Sequence, residues 1–427
     1  MLRGVRDTPH ATSSCGVNVP SVQAWVALIS SIPVALAGWL WAHSTQFIAP
    51  ESFGLGLLIL LIASVMLGGK GTLWGPVIGT IVFQAFSLWV GPFSRFNQLV
   101  LGGALLAVSV LAPMGIIPLV ARSVRGRANR LLRRAGPPPQ RTIVLHPPAI
   151  VRSEARAEAG ALPLVAATRV EKSFGGMRVL RGVDVEVHAG RVVGLVGPNG
   201  SGKTTLLNVL TGFVAPDAGE VTVGGEQVTG RSTHRIARGG IRRTFQVPQL
   251  VEELSVLENV ELALLGGRQW ILGSLLRTPR YRHHRDAVRR RAQEACAELG
   301  FDAQAQATAA GELPLGLKRI VEVARAMAAD ARVVCLDEPA AGLSGSDLEL
   351  VGGTLRGLAA RGYAVLLIEH NLAFVQQYCD AIVLLESGEV TVRSMSGALD
   401  DDGARDDRMA AFFGSVYVAG QRSMAES

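Results

Sequence analysis

Val192-Val193-Gly194-Leu195-Val196-Gly197-Pro198-Asn199-Gly200-Ser201-Gly202-Lys203-Thr204-Thr205-Leu206-Leu207 joins a short apolar run, a glycine-rich turn and the start of a second apolar run. The turn matches GxxxxGK[ST], and its setting, after a β-like run and before a helical one, is the setting that pattern needs. Glycines let backbone N–H groups converge on phosphate oxygens at a helix N-terminus. Gly197, Pro198, Asn199, Gly200, Ser201, Gly202 and Thr205 shape that cradle, Lys203 supplies positive charge at the outer phosphates, and Thr204 offers a hydroxyl to Mg²⁺.

Working outward, Arg332 to Leu336 is a second β-like run, and it ends in Asp337 and Glu338. Carboxylates at the end of a strand usually face solvent. Beside a phosphate loop the expectation changes: Asp337 contacts Mg²⁺, and Glu338 polarises the attacking water. Further apolar runs, Val183 to Val187, Ala364 to Ile368 and Ala381 to Leu385, alternate with helical stretches beyond Leu162, a pattern that predicts an α/β domain with a largely parallel sheet.

The first part of the chain reads differently. Hydrophobic residues make up 48% of 427, and the long apolar runs sit before Val120: Val22 to Trp41, Phe53 to Leu67, Leu73 to Val90 and Leu99 to Val120. None shows the polar stripe of a helix half-buried in a soluble core, so about four membrane-spanning helices are expected. A cluster of six arginines, Arg122, Arg125, Arg127, Arg130, Arg133 and Arg134, follows the last run and places that end on the cytoplasmic side. The net charge of +7 therefore reads as a membrane flank rather than a nucleic-acid surface. Cys15, Cys296, Cys335 and Cys379 are scattered without CxxC spacing, which suggests neither a disulfide framework nor a zinc site.

The expected organisation is a tail at 1–21, a transmembrane segment at 22–121, an Arg/Pro-rich linker at 122–161, the α/β domain at 162–416 and a tail at 417–427.

Residues 162–416 resemble the ATPase cassette of ABC transporters, because further family motifs follow in order around the two described above. By that resemblance the fold is a P-loop NTPase preceded by an all-α membrane segment. Phe174 of Ser173-Phe174-Gly175 would stack on adenine; Gln246 of Arg243-Thr244-Phe245-Gln246 would sense Mg²⁺ and the membrane subunit; His370 of Ile368-Glu369-His370 would contact the γ-phosphate. The signature loop that closes over the ATP of an opposite cassette is represented by Leu313-Pro314-Leu315-Gly316, followed by Leu317-Lys318-Arg319. Pro314 stands where relatives carry serine, with neither hydroxyl nor N–H to offer. Gly316 can keep a backbone contact. In Ala341-Gly342-Leu343-Ser344, Ser344 stands where many relatives have Asp.

The proline-bearing signature, Ala341-Gly342-Leu343 and His234-Arg235-Ile236-Ala237 resemble the importers of branched-chain amino acids. So does the N-terminal part: Ile48-Ala49-Pro50-Glu51-Ser52-Phe53, Leu67-Gly68-Gly69-Lys70 through Gly79, and Ala112-Pro113-Met114-Gly115-Ile116 are similar to the last portion of those importers' permease. The chain then starts near the permease's final third. The resemblance implies ATP and Mg²⁺ as ligands. Its partners would be a second cassette, identical or different, a membrane permease and an extracytoplasmic solute-binding protein. The location would be multi-pass in the cell membrane with the cassette in the cytoplasm. A reading of another class, an ATP-binding assembly or regulatory subunit or a degenerate fusion with little hydrolysis, is motivated by Pro314, Ser344 and the partial permease. An exporter half-transporter would need about six spans before the cassette.

Overall fold

The computed structural model describes residues 2–46, 55–69, 75–90, 162–264 and 279–395, together with Gly103 and Leu106. The chain divides into two compact units, one of 1–26 with 143–427 and one of 27–142.

In the membrane-like part, α3 (Val19–Thr45), α4 (Leu55–Gly68) and α5 (Gly75–Val90) fall on the first three apolar runs. The fourth run, Leu99 to Val120, lies outside the described residues apart from Gly103 and Leu106. Among the described residues one helix, α3, is long and apolar enough to cross a membrane. Helices α4 and α5 pack closely because both carry glycine at the crossing. A Cβ on Gly79 would sit 1.9 Å from the Ser64 carbonyl oxygen, so only a residue without a side chain fits.

Residues 1–21, expected as a tail, contain α1 (Leu2–Asp7) and α2 (Pro9–Ser14). This short hairpin belongs to the cassette's compact unit. Arg238 Nε donates to the Gly16 carbonyl at 3.0 Å, and Arg325 Nη2 donates to Cys15 Sγ at 3.1 Å.

The cassette contains two sheets. A six-stranded sheet has the order β10-β9-β3-β8-β7-β6, where β3 is Val192–Val196, β6 Ile241–Arg243, β7 Val333–Asp337, β8 Ala364–Ile368, β9 Ala381–Glu386 and β10 Glu389–Met395. Its ladders are parallel except between β9 and β10. Strict alternation along each strand sends successive side chains to opposite faces. Val334, Leu336, Val365 and Leu367 join one apolar cluster, while Val333, Cys335, Leu366 and Ile368 join the other. Buried on both faces, these strands read as continuous apolar runs, which is why they were legible in the sequence.

The first cluster is covered by α8 (Val256–Leu264), α9 (Pro279–Glu298), α11 (Leu315–Ala328), α12 (Ser346–Ala360) and α13 (Leu372–Tyr378). The second is covered by α6 (Lys203–Leu210), α7 (Thr233–Arg238) and an antiparallel sheet. That sheet has the order β2-β1-β4-β5, from β1 (Val165–Phe174), β2 (Met177–Val187), β4 (Ala218–Val223) and β5 (Glu226–Gln227). The six-stranded sheet is the largely parallel one expected, and this second sheet is an addition that the sequence reading lacked: of its strands only part of β2 appears as an apolar run, because β1, β4 and β5 are polar on their outer face. A short α10 (Ala303–Ala307) precedes the loop that leads into α11.

Candidate functional site

The site gathers at the ends of β3, β7 and β8. Beyond β3, the turn Gly197 to Gly202 leads into α6 at Lys203. Gly197 has φ +153° and approaches β9 so closely that a Cβ would lie 2.1 Å from the Leu385 carbonyl oxygen. No other residue type fits there. Lys203 Nζ folds back to donate to the Gly197 and Pro198 carbonyls, each at 2.8 Å. Burial lowers the Lys203 pKa, while Glu338 and Asp337 oppose the shift, which places the two carboxylates within electrostatic reach of the ammonium.

Beyond β7, Asp337 is buried and accepts from Arg243 Nη2 at 2.9 Å. Glu338 follows with φ +48°, a left-handed conformation that a residue with a Cβ rarely adopts, and its N–H donates to the Ile368 carbonyl at 2.9 Å. The backbone is thereby turned so that the Glu338 carboxylate meets two other expected site residues. Gln246 Nε2 donates to Glu338 Oε2 at 2.8 Å, and His370 Nε2 lies 3.3 Å from Glu338 Oε1. Lys203, Asp337, Glu338, Gln246 and His370, separated by up to 167 positions in the chain, thus form one cluster.

Three residues with no role assigned from sequence hold that cluster. Arg319, at the start of α11, is buried and donates to the Phe245 and Gln246 carbonyls and to the Glu338 carbonyl at 3.3 Å. It fixes the loop that carries Gln246 against the strand end that carries Glu338. Glu369 is buried and accepts from the N–H groups of Ala340 at 2.5 Å, His370 at 3.0 Å and Asn371 at 3.2 Å, so it shapes the turn that presents His370. Burial raises its pKa against the pull of those N–H groups. Arg243 ties Asp337 to Asn208 of α6. The signal at Glu369 was a charged residue directly after an apolar run; Arg319, beside Lys318, offered none.

Phe174 stands apart from the cluster at the end of β1, 48% exposed, with Lys172 Nζ 5.4 Å from its ring centre. An exposed aromatic ring is a usable stacking surface. Leu313, Pro314 and Gly316 also stand apart. Pro314 is the N-cap of α11 and makes no side-chain capping bond, and Gly316 packs so tightly on Asp347 that a Cβ would lie 2.7 Å from its Cγ. Thr204 is exposed in the first turn of α6, and Thr205 is half-buried beside it.

Comparison with known proteins agrees with this geometry. The family described as ABC transporter matches residues 180–341, and the family of the branched-chain amino acid transport system permease component matches residues 1–109. The high-affinity branched-chain amino acid transport ATP-binding protein BraF of Pseudomonas aeruginosa is 35% identical over 228 residues, 53% of this chain and 89% of its own. The probable branched-chain amino acid transport ATP-binding protein LivG of Archaeoglobus fulgidus is 35% identical over 229 residues, 52% of this chain and 85% of its own. The ribose import ATP-binding protein RbsA 2 of Agrobacterium fabrum is 33% identical over 227 residues, 53% of this chain, but these span only 42% of that protein. Among solved structures, the ADP conformation of an ATP-binding cassette of an ABC transporter matches with a TM-score of 0.50 at 28% identity, covering 60% of this chain and 99% of that one. A phosphate loop set beside a carboxylate cluster, in a sequence 35% identical to BraF and LivG over most of their length, shows that this chain belongs to the ATP-hydrolysing ATP-binding subunits of ABC transporters, in their branched-chain amino acid group, with a permease-like segment fused ahead of the cassette.

Proposed function

We propose that the chain couples ATP hydrolysis to the import of branched-chain amino acids or related small polar solutes. The observation that carries this reading is the meeting of Gln246 and His370 on the Glu338 carboxylate. In the proposed cycle the N–H groups of Gly197 to Thr204 and the Lys203 ammonium hold the phosphates, and Phe174 stacks on the adenine. Glu338 takes the proton of the attacking water, and the transfer needs no covalent intermediate. His370 contacts the γ-phosphate and steadies Glu338 through their shared contact.

The donors present fit Mg²⁺, a hard ion that takes few protein ligands beside phosphate oxygens. These are the exposed hydroxyl of Thr204, the Asp337 carboxylate with Arg243 on Oδ2, and the amide oxygen that Gln246 keeps when its nitrogen donates to Glu338. The bound ion would neutralise charge on the transferring phosphoryl group.

The proposed partner across the nucleotide is a second cassette, whose Leu313, Pro314 and Gly316 loop would close over this site. The proposed orientation is multi-pass in the cell membrane with the cassette in the cytoplasm, supported by the arginine cluster Arg122 to Arg134. Solute would arrive through an extracytoplasmic binding protein. Coupling is supported by the hairpin α1–α2, which belongs to the permease-like match and packs on the cassette near the Gln246 loop. ATPase turnover of the full chain with its partner cassette in lipid nanodiscs tests the assignment. Glu338→Gln should bind ATP yet lose turnover by about 10²-fold or more, the scale of a missing general base. Parent-rate hydrolysis by that variant would remove Glu338 from its role.

A further inference from the structure

Where the hairpin meets the cassette, charge is buried that the nucleotide site does not use. A cavity of about 20 Å³ is bounded by Ser14 and Cys15 of the hairpin and by Arg242, Thr244, Glu322 and Arg325 of the cassette. Arg242 and Arg325 are 8% and 6% exposed. Among the described residues both bond only to neutral acceptors: Arg242 to the Ile241 and Ala329 carbonyls, each at 3.2 Å, and Arg325 to the Gln249 carbonyl at 2.8 Å and to Cys15 Sγ at 3.1 Å. The Nε atoms of both, and Thr244 Oγ1, are buried without a hydrogen-bond partner.

The neighbouring charges are already assigned. Asp337 answers Arg243 at 2.9 Å, and Glu322 is the one carboxylate lining the cavity. Glu322 lies 3.8 Å from Arg319, which has no other buried carboxylate as close among the described residues. Among the residues lining the cavity, with Arg243 paired to Asp337, Arg242 and Arg325 against an ionised Glu322 leave one positive charge over, and protonation of Glu322 leaves two. Burial pushes the Glu322 pKa up to about 7, so near neutrality both forms are present. A buried charge without a counter-charge costs several kcal/mol. A guanidinium does not escape by losing its proton. Water would satisfy the orphan donors but would leave the charge standing.

We propose that this cavity binds one small monovalent anion of the chloride class, held by Arg242, Arg325 and Thr244 and bridging the N-terminal hairpin to the cassette. The volume leaves room for a species of about the size of one water or one monatomic anion, since a single water needs a cavity of about 10–15 Å³. The protonated form of Glu322 would face the anion as an O–H donor. The hairpin closes the site through Ser14 and Cys15, so anion occupancy and hairpin docking favour each other. This site is separate from the proposed catalytic residues and does not depend on their roles.

The test uses the purified full chain in detergent, with chloride exchanged against gluconate at constant ionic strength and pH. The melting temperature should rise saturably with chloride, as expected for a ligand that binds only the folded state. Arg325→Met should abolish the rise. In case that variant does not fold, crystals of the parent protein soaked in bromide should show an anomalous peak between Arg242 and Arg325. Equal melting in chloride and gluconate, or a bromide-soaked cavity holding water only, overturns the proposal.

Discussion

Replacing Glu322 by Gln should stabilise this protein, weakly at pH 5 and most at neutral to alkaline pH. Glu322 is enclosed at the middle of α11, where its Oε1 accepts from the Gln249 N–H at 3.1 Å and its Oε2 has no hydrogen-bond partner among the described residues. The positive groups that face it are Arg319, Arg325 and Arg242. Desolvation outweighs the pull of that N–H and of Arg325 and Arg319, and the pKa moves from 4.5 to about 7. A carboxyl whose pKa is raised by folding binds its proton more tightly in the native than in the unfolded state. Its favourable share is therefore complete below pH 4.5 and is lost as pH rises to about 7. The difference, about 2.5 pKa units, corresponds to about 3 kcal/mol of native-state destabilisation at pH 8 and to about 1 kcal/mol at pH 5. The amide of Glu322→Gln keeps an acceptor for Gln249 and does not ionise. For a domain of this size, about 3 kcal/mol corresponds to a melting shift of about 6–12 °C. Melting of parent and variant would be followed in one detergent and one salt from pH 5 to pH 8.5. The two curves should nearly meet at pH 5 and separate steadily to about pH 7, with the variant higher. Parallel curves, or a variant that melts lower at pH 8, would refute the reasoning.

Lys203→Ala should abolish ATP binding, measured with a fluorescent ATP analogue, because its ammonium is the cation closest to the phosphate loop. Gly316→Ala should destabilise the cassette by about 1–3 kcal/mol in denaturant unfolding, since its new methyl would meet Asp347. Arg319→Met should cost about 3–5 kcal/mol and raise the KM for ATP, because the carbonyls of Phe245, Gln246 and Glu338 lose their common donor. His10→Ala and Phe213→Ala, made singly and together and read by ATPase rate, should be non-additive by about 0.5–1.5 kcal/mol, the worth of a tilted aromatic pair. Additive effects would show that the ring contact carries no coupling.

How far the sequence could be read differs from element to element. Strands β3, β7 and β8 were legible because they are buried on both faces, so their composition is uniformly apolar and their ends are marked by a Gly or a charge. The phosphate loop was legible because its glycines answer a local backbone demand, visible at Gly197. Strands β1, β4 and β5 were not, since their polar outer residues dilute the signal and their partners lie far away in the chain. The supports of the site were hidden for the same reason. Arg319 looked like one more basic residue after a signature loop, and only the fold brings it to carbonyls 73 and 74 positions away. The docking of residues 1–16 was also hidden. Helices of six residues carry no periodicity to detect, and the contacts that fix them, Arg238 to Gly16 and Arg325 to Cys15, span more than 200 positions.

These long-range contacts converge on one short loop. On one side Gln246 touches the Glu338 carboxylate. One residue earlier, the Phe245 ring meets Phe213 edge-on at 6.0 Å, and Phe213 in turn meets His10 of the hairpin at 5.9 Å. The Arg243 guanidinium lies 5.4 Å from both phenylalanine rings while it holds Asp337. If Gln246 shifts with the nucleotide, as proposed, Phe245 should move with it, because Arg319 donates to both carbonyls from the same side chain. The permease-like hairpin lies at the far end of that path, so Gln246, proposed to sense the nucleotide, and the N-terminal hairpin are linked through Phe245, Phe213 and His10.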